Sequence, residues 1–138
     1  MYANNHVLSI KFEGYIYAQG SAHGTNWVYS ININLATGKK ITIDELFDDS
    51  FKDKLNHHYF NGIDVDTKNS DETTINEIFD RFKNNFTMSD DNFYFTDDSF
   101  IVILPIDGYY QFAASYEDLK SSMKENNSIW RYILDGNF

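Results

Sequence analysis

The chain has 138 residues, the size of one ordinary domain, and 42% of them are hydrophobic, with ten Tyr and twelve Phe. That is ample material for a core and argues against disorder over most of the chain. A net charge of -10 argues against nucleic acid, whose phosphates need Lys and Arg, and favours basic proteins, cationic ligands or simple solubility; the absence of cysteine removes disulfides, thiolate metal sites and a thiol nucleophile.

Residues 7–17 are rich in β-branched and aromatic side chains, with a change of phase at Gly14 where a bulge would fit. Gln19-Gly20-Ser21-Ala22-His23-Gly24 follows, a turn of small residues enclosing one histidine. Residues 27–35 then alternate, with Trp27, Tyr29, Ile31, Ile33 and Leu35 on one face and Ser30, Asn32 and Asn34 on the other. This predicts a long hairpin whose second strand has its apolar row on a core and its polar row in water. Thr37-Gly38-Lys39 is a turn, and Ile41-Thr42-Ile43 a short extended piece ahead of an N-cap at Asp44. A helix is predicted over about 51–59, then a polar loop over 61–72. A second helix over about 74–85, capped by Thr73 or Thr74, carries the stripe Ile75, Ile78, Phe79 and Phe82.

Residues 92–96 read as a strand and Asp97-Asp98-Ser99 as a tight Asx-type turn. Phe100-Ile101-Val102-Ile103-Leu104 is the most apolar strand, central in its sheet and ended by Pro105. A short strand over 111–114 and a helix from Tyr116 to about Lys124, capped by Ser115, come next. The apolar run 129–134 fits either state. No repeat or linker divides the chain, so residues 1–138 form one α+β domain. The expected architecture is an antiparallel sheet with two or three helices packed on one face.

The ionisable groups are read as structural before catalytic. His23 offers a ligand contact or a general base, against a structural role tying the glycine turn to its neighbours. His57 and His58 are adjacent on a predicted helix, about 100° apart, and lack the spacing of a zinc pair. Asp64, Asp66, Asn69, Asp71 and Glu72 could supply oxygen to calcium, but their spacing fails the EF-hand pattern, so no metal is assigned. Tyr109-Tyr110 could form an aromatic platform, with one of the pair turned into the core. No cofactor is implied.

The order of these parts resembles the bacterial family called domain of unknown function 3298. That family occurs in the extracytoplasmic part of the RsiV-type anti-sigma factor and in some cell-wall deacetylases. The likeness rests on Gly20-Ser21-Ala22-His23-Gly24, Ile31-Asn32-Ile33-Asn34-Leu35, Thr37-Gly38-Lys39 and Ile41-Thr42-Ile43-Asp44-Glu45-Leu46-Phe47. It continues through Phe93-Tyr94-Phe95, Asp97-Asp98-Ser99, residues 100–104 and Tyr116-Glu117-Asp118-Leu119-Lys120, so it spans roughly residues 7–124. The segment Pro105-Ile106-Asp107-Gly108-Tyr109-Tyr110 departs from the family's Tyr- and Pro-containing pattern.

The resemblance implies a non-enzymatic, extracytoplasmic sensor or binding domain of a bacterial surface protein. Its partner would be a basic protein such as lysozyme, or a cell-wall component. His23, Tyr109, Tyr110, Asp97 and Asp98 are the candidate partner-binding residues, and Gly20, Ala22, His23 and Gly24 the structural motif. Two alternatives stand beside it: an accessory domain of a cell-wall polysaccharide deacetylase, and a small hydrolase using His23. Met1–His6 is polar, with no apolar signal region, and no run approaches the roughly 20 apolar residues that span a membrane, so any anchor would lie upstream.

Overall fold

The computed structural model describes residues 2–3, 6–17, 19–20, 24–64, 67–84, 92–105, 109–125 and 127–134. The β-branched and aromatic runs at the start form β1 (Tyr2–Ala3), β2 (Val7–Ile16), β3 (Thr25–Asn34) and β4 (Lys39–Lys40), an antiparallel sheet in that order. β2 and β3 pair without interruption from Val7↔Asn34 to Ile16↔Thr25. There is therefore no bulge at Gly14. Glycine is required there because the Trp27 indole lies across it, and a Cβ at that position would come within 2.0 Å of the ring.

The later elements are α1 (Ile43–Leu46), a 3-10 helix Asp49–Lys54, β5 (Asn61–Gly62), α2 (Glu72–Lys83), β6 (Phe93–Phe95), β7 (Ser99–Leu104), β8 (Tyr110–Ser115), α3 (Tyr116–Leu119), a 3-10 turn Lys120–Ser122 and α4 (Ser128–Leu134). The strands among them make a second antiparallel sheet, ordered β5-β8-β7-β6. The α+β class thus holds, with the strands divided between two sheets instead of one. β7 is interior, as its apolar run predicts, and is buried on both faces. Phe100, Val102 and Leu104 join the main core, whereas Ile101 and Ile103 pack with Tyr94 and with Val28 of β3. Helical residues Leu46, Phe51, Phe79, Leu119 and Trp130 all belong to that main core. The helices therefore cover one face of the second sheet, and the β2–β3 hairpin meets the other.

Several helices differ from their predicted form. The 51–59 helix is a 3-10 turn that starts at Asp49, capped by the Asp48 carboxylate accepting from Ser50 N at 2.9 Å. Asn56 then stops it, because its side chain donates to Asp53 O and accepts from His58 N. α1 begins at Ile43 with Thr42 at the N-cap position, placing Asp44 in the first turn. α2 is capped by Asp71, whose carboxylate accepts from Thr74 N at 2.8 Å, and not by Thr73 or Thr74. A carboxylate caps more strongly because it also meets the positive end of the helix dipole, and the Thr74 bonds hold the Asp71 carboxyl below its usual range. Ser115 caps α3 as predicted, accepting from Asp118 N, but the α-helix ends at Leu119.

A four-residue helix has no stability of its own. The open carbonyls of α1 are taken instead by the C-terminal segment. Leu46 O accepts from Lys124 N (2.9 Å) and from Trp130 Nε1 (2.6 Å), while the side chains of Lys124 and Asn127 donate to Asp44 O and Glu45 O.

The sheets are tied by a buried polar junction. Phe95 N donates to Ser9 Oγ (2.9 Å), Ser9 Oγ donates to Asn32 Oδ1 (2.5 Å), and Asn32 Nδ2 donates to Phe93 O (2.6 Å). This junction reverses one expectation. The polar row of β3 faces the protein, with Asn32 2% exposed, and the apolar row faces outward, with Tyr29, Ile31 and Leu35 52%, 37% and 46% exposed. β6 presents backbone groups at this crossing, and Asn32 and Ser9 can bond them where Ile31 or Ile33 would leave them unpaired.

Candidate recognition surface

The outward face of the hairpin is set by the β2–β3 register. Leu8 lies opposite Ile33, Ile10 opposite Ile31, Phe12 opposite Tyr29, and Gly14 opposite Trp27. Alternation puts all of these side chains on one side of the sheet. Phe12 is 42% exposed and Ile16 60%. Near the far end of the hairpin, Ile16, Trp27, Tyr29 and Tyr109 line an apolar cleft of about 410 Å³. The Tyr29 and Tyr109 hydroxyls are 3.2 Å apart and their rings meet edge to face. The Tyr29 hydrogen bond pushes the Tyr109 phenol up from its ordinary value, so it stays a neutral donor or acceptor at physiological pH.

Tyr109 and Tyr110 diverge as the sequence predicts. Tyr109 turns to the hairpin cluster and Tyr110 packs against the main core. The candidates are not brought together, however. Leu104 pairs with Tyr110 at one end of β7, and Ser99 with Ser115 at the other. The Asp97-Asp98 turn is thus a strand length away from Tyr109. Asp98 accepts from Thr96 Oγ1 and Ser99 Oγ, but the turn is not closed in the expected Asx manner, because Ser99 N donates to Thr96 Oγ1 and not to an aspartate side chain. Gly20 has φ +89°, a conformation side chains resist. Gly24 donates its N–H to Tyr15 OH at 2.9 Å, and a Cβ there would come within 2.1 Å of the Tyr15 ring. Ala22 and His23 lie outside the described residues.

Several of the remaining polar groups have structural partners. Asp64 accepts from Thr67 N, Thr67 Oγ1 and Gln111 N, which pins the 61–72 segment to β8; Asp66 lies outside the described residues. Among the described residues no three His, Asp or Glu stand close enough to hold a metal ion. His57 and His58 lie in a turn, not on a helix, with ring centroids 4.1 Å apart, and His57 N donates to Asn76 Oδ1. Lys11, on the inward face, bonds Glu13 at 2.8 Å and sits over the Tyr94 ring. Burial works against the Lys11 charge, yet the Glu13 hydrogen bond and the Tyr94 hydroxyl outweigh it and raise its pKa. The same bond lowers that of Glu13.

Sequence reasoning missed Ile16, Trp27 and Tyr29 as surface groups. Their alternation was visible, but it carries no sign of which face is covered. One consequence is testable. Gly14→Ala is expected to swing the Trp27 indole out of the cleft, read as a change in tryptophan emission with unchanged far-ultraviolet circular dichroism. Unaltered emission would mean that the indole does not lie over Gly14.

No family model matches the chain, and no curated protein is significantly similar to it.

Proposed function

We propose that this domain is a non-catalytic recognition module of a bacterial cell surface, and that it contacts a basic protein partner through the outward face of the β2–β3 hairpin together with Tyr109. The observation that carries the reading is the row Phe12, Tyr29 and Ile31 beside the Trp27–Tyr29–Tyr109 cleft, exposed to solvent. Contiguous exposed apolar surface of this kind marks contact sites on soluble proteins, and rigid aromatics are the residues that dominate contact energies. The net charge of -10 adds long-range attraction for a cationic partner. The motif order resembling the anti-sigma ectodomain supports an extracytoplasmic setting and makes lysozyme the first candidate. No helix among the described residues is long and apolar enough to cross a membrane.

Calorimetric titration with lysozyme at low and at physiological salt tests this. The expected result is binding that survives physiological salt, since burial of apolar surface is not screened. The double variant Tyr29→Ala/Tyr109→Ala should then weaken it at least about tenfold, the loss of one ordinary hot spot. Binding confined to low salt would be charge attraction alone, and no binding at either salt would reject lysozyme as the partner.

A further inference from the structure

The cleft at the far end of the hairpin is built from rings. The Trp27 indole lies across Gly14, where the missing side chain lets it rest on the sheet as the floor of the cleft. Tyr29 is inclined to it by 42°, with ring centroids 5.6 Å apart, and Tyr109 meets Tyr29 at 61° and 5.7 Å. Ile16 is the remaining lining residue of a space of about 410 Å³. Aromatic faces carry the negative part of a ring quadrupole, so rings grouped in this way attract a cation as well as an apolar group.

Charge decides between the two. None of the four lining residues is ionised at neutral pH. The only charged side chains of β2 and β3 are Lys11 and Glu13, which bond each other on the inward face. Lys39 and Lys40 pair with the opposite end of β3. No cation of the chain therefore lines the cleft, and the net charge of -10 favours a positive occupant over a neutral one. No carboxylate lines it either, so the desolvation of a strongly hydrated ammonium ion is not offset there. A guanidinium is planar, more weakly hydrated, and stacks on aromatic faces. The Tyr29 and Tyr109 hydroxyl oxygens, 3.2 Å apart, are both within reach of one guanidinium fork.

We propose that this cleft takes an arginine side chain of the basic protein partner, its guanidinium stacked on the Trp27 indole and donating to the Tyr29 and Tyr109 hydroxyls. The proposal rests on the reading of this face as the contact surface and names the group that enters it. The hydrogen bond between the two tyrosines uses one hydroxyl proton and leaves lone pairs on both oxygens for the guanidinium. An apolar side chain fills the same space but leaves those oxygens to water.

The two indole N–H resonances of the chain provide the test. Trp130 is 4% exposed and its Nε1–H is bonded to Leu46 O, so its signal serves as an internal reference while that of Trp27 reports on the cleft. The probes are blocked single-residue amides of arginine, lysine and norleucine, titrated to high millimolar concentration at constant ionic strength so that general charge attraction is screened alike for all. The arginine probe is expected to shift the Trp27 signal saturably and to bind at least about threefold more tightly than the lysine probe, with norleucine weaker still. The double variant Tyr29→Phe/Tyr109→Phe keeps the rings and removes the oxygens, so it should bring arginine down to the level of lysine, with circular dichroism confirming that it is folded. No Trp27 shift with the arginine probe, equal binding of arginine and lysine by the wild type, or an arginine preference untouched in the double variant would overturn the proposal. Norleucine binding as strong as arginine would make the cleft an apolar pocket and overturn it too. Failure here and failure of the lysozyme titration are distinct. Arginine binding without a lysozyme complex keeps this assignment and rejects lysozyme as the partner, whereas a lysozyme complex that needs Tyr29 and Tyr109 but shows no arginine preference keeps the contact surface and overturns the arginine.

Discussion

Asn32→Ala is expected to destabilise the domain by about 2–4 kcal/mol, because it strands polar groups at the junction of the two sheets. Asn32 is 2% exposed and serves both sheets at once, accepting from Ser9 and donating to the carbonyl of Phe93. Alanine leaves the Phe93 carbonyl and the Ser9 hydroxyl buried without those partners, and each such group costs about 1–3 kcal/mol. Urea unfolding followed by circular dichroism checks this through a lower midpoint at unchanged slope. Asn32→Asp separates polarity from hydrogen-bond direction. A carboxylate there cannot donate to Phe93 O and is a buried charge, so at neutral pH it should cost more than alanine. Burial raises the folded pKa of such a carboxyl above its unfolded value. The protonated form is then favoured in the folded state, so the Asp variant gains stability as pH falls through the raised value and loses it as pH rises again. A variant indifferent to pH, or an alanine variant as stable as wild type, would show that the junction does not hold the sheets together.

That junction also explains how far the sequence could be read. The strands over 7–17 and 27–35, the apolar centre of β7 and the Ser115 cap were legible because each depends on local periodicity or a local cap. The sidedness of β3 was not. A period of two separates Ile31 from Asn32 but says nothing about which one meets the protein, and usual preference favours Ile31. The decision comes from β6, some sixty residues later, whose Phe93 carbonyl and Phe95 N–H need polar partners. The candidate site failed for a similar reason. Asp97-Asp98 and Tyr109 are twelve residues or fewer apart in the chain, yet the β7–β8 pairing places them at opposite ends of one strand. Conversely, Tyr109 is 80 residues from Tyr29 in the chain, yet it shares a cleft with Trp27 and Tyr29. The 3-10 turn at Asp49–Lys54 was hidden by good caps at its start, while Asn56 ends it through bonds that propensity does not weigh.

Phe100→Ala is expected to cost about 3–5 kcal/mol, the usual range for emptying a buried phenylalanine site. Phe100 is fully buried on the covered face of β7. Its ring stacks on Phe93 at 5.0 Å and meets Phe47, Phe51, Phe95 and Trp130 at 5.1, 6.0, 5.7 and 6.5 Å between centroids. Rings held on several sides cannot all collapse into the space, so a cavity remains and the loss falls at the upper part of the range. Against a total stability of about 5–15 kcal/mol that is a large share. Phe100→Leu should recover most of it by refilling the volume. Trp130, in contact with the site, supplies a near-ultraviolet signal for the change in packing. The comparison that matters is with Phe12→Ala. Both residues are phenylalanines on strands and indistinguishable by composition, but Phe12 points outward, so its removal should change the stability of the isolated monomer by no more than about 0.5 kcal/mol. A large cost at Phe12 that appears only at high protein concentration would mean that a second copy covers the face in solution. The same cost in dilute solution would mean that the outward face is core, and the recognition surface drawn on it would fall.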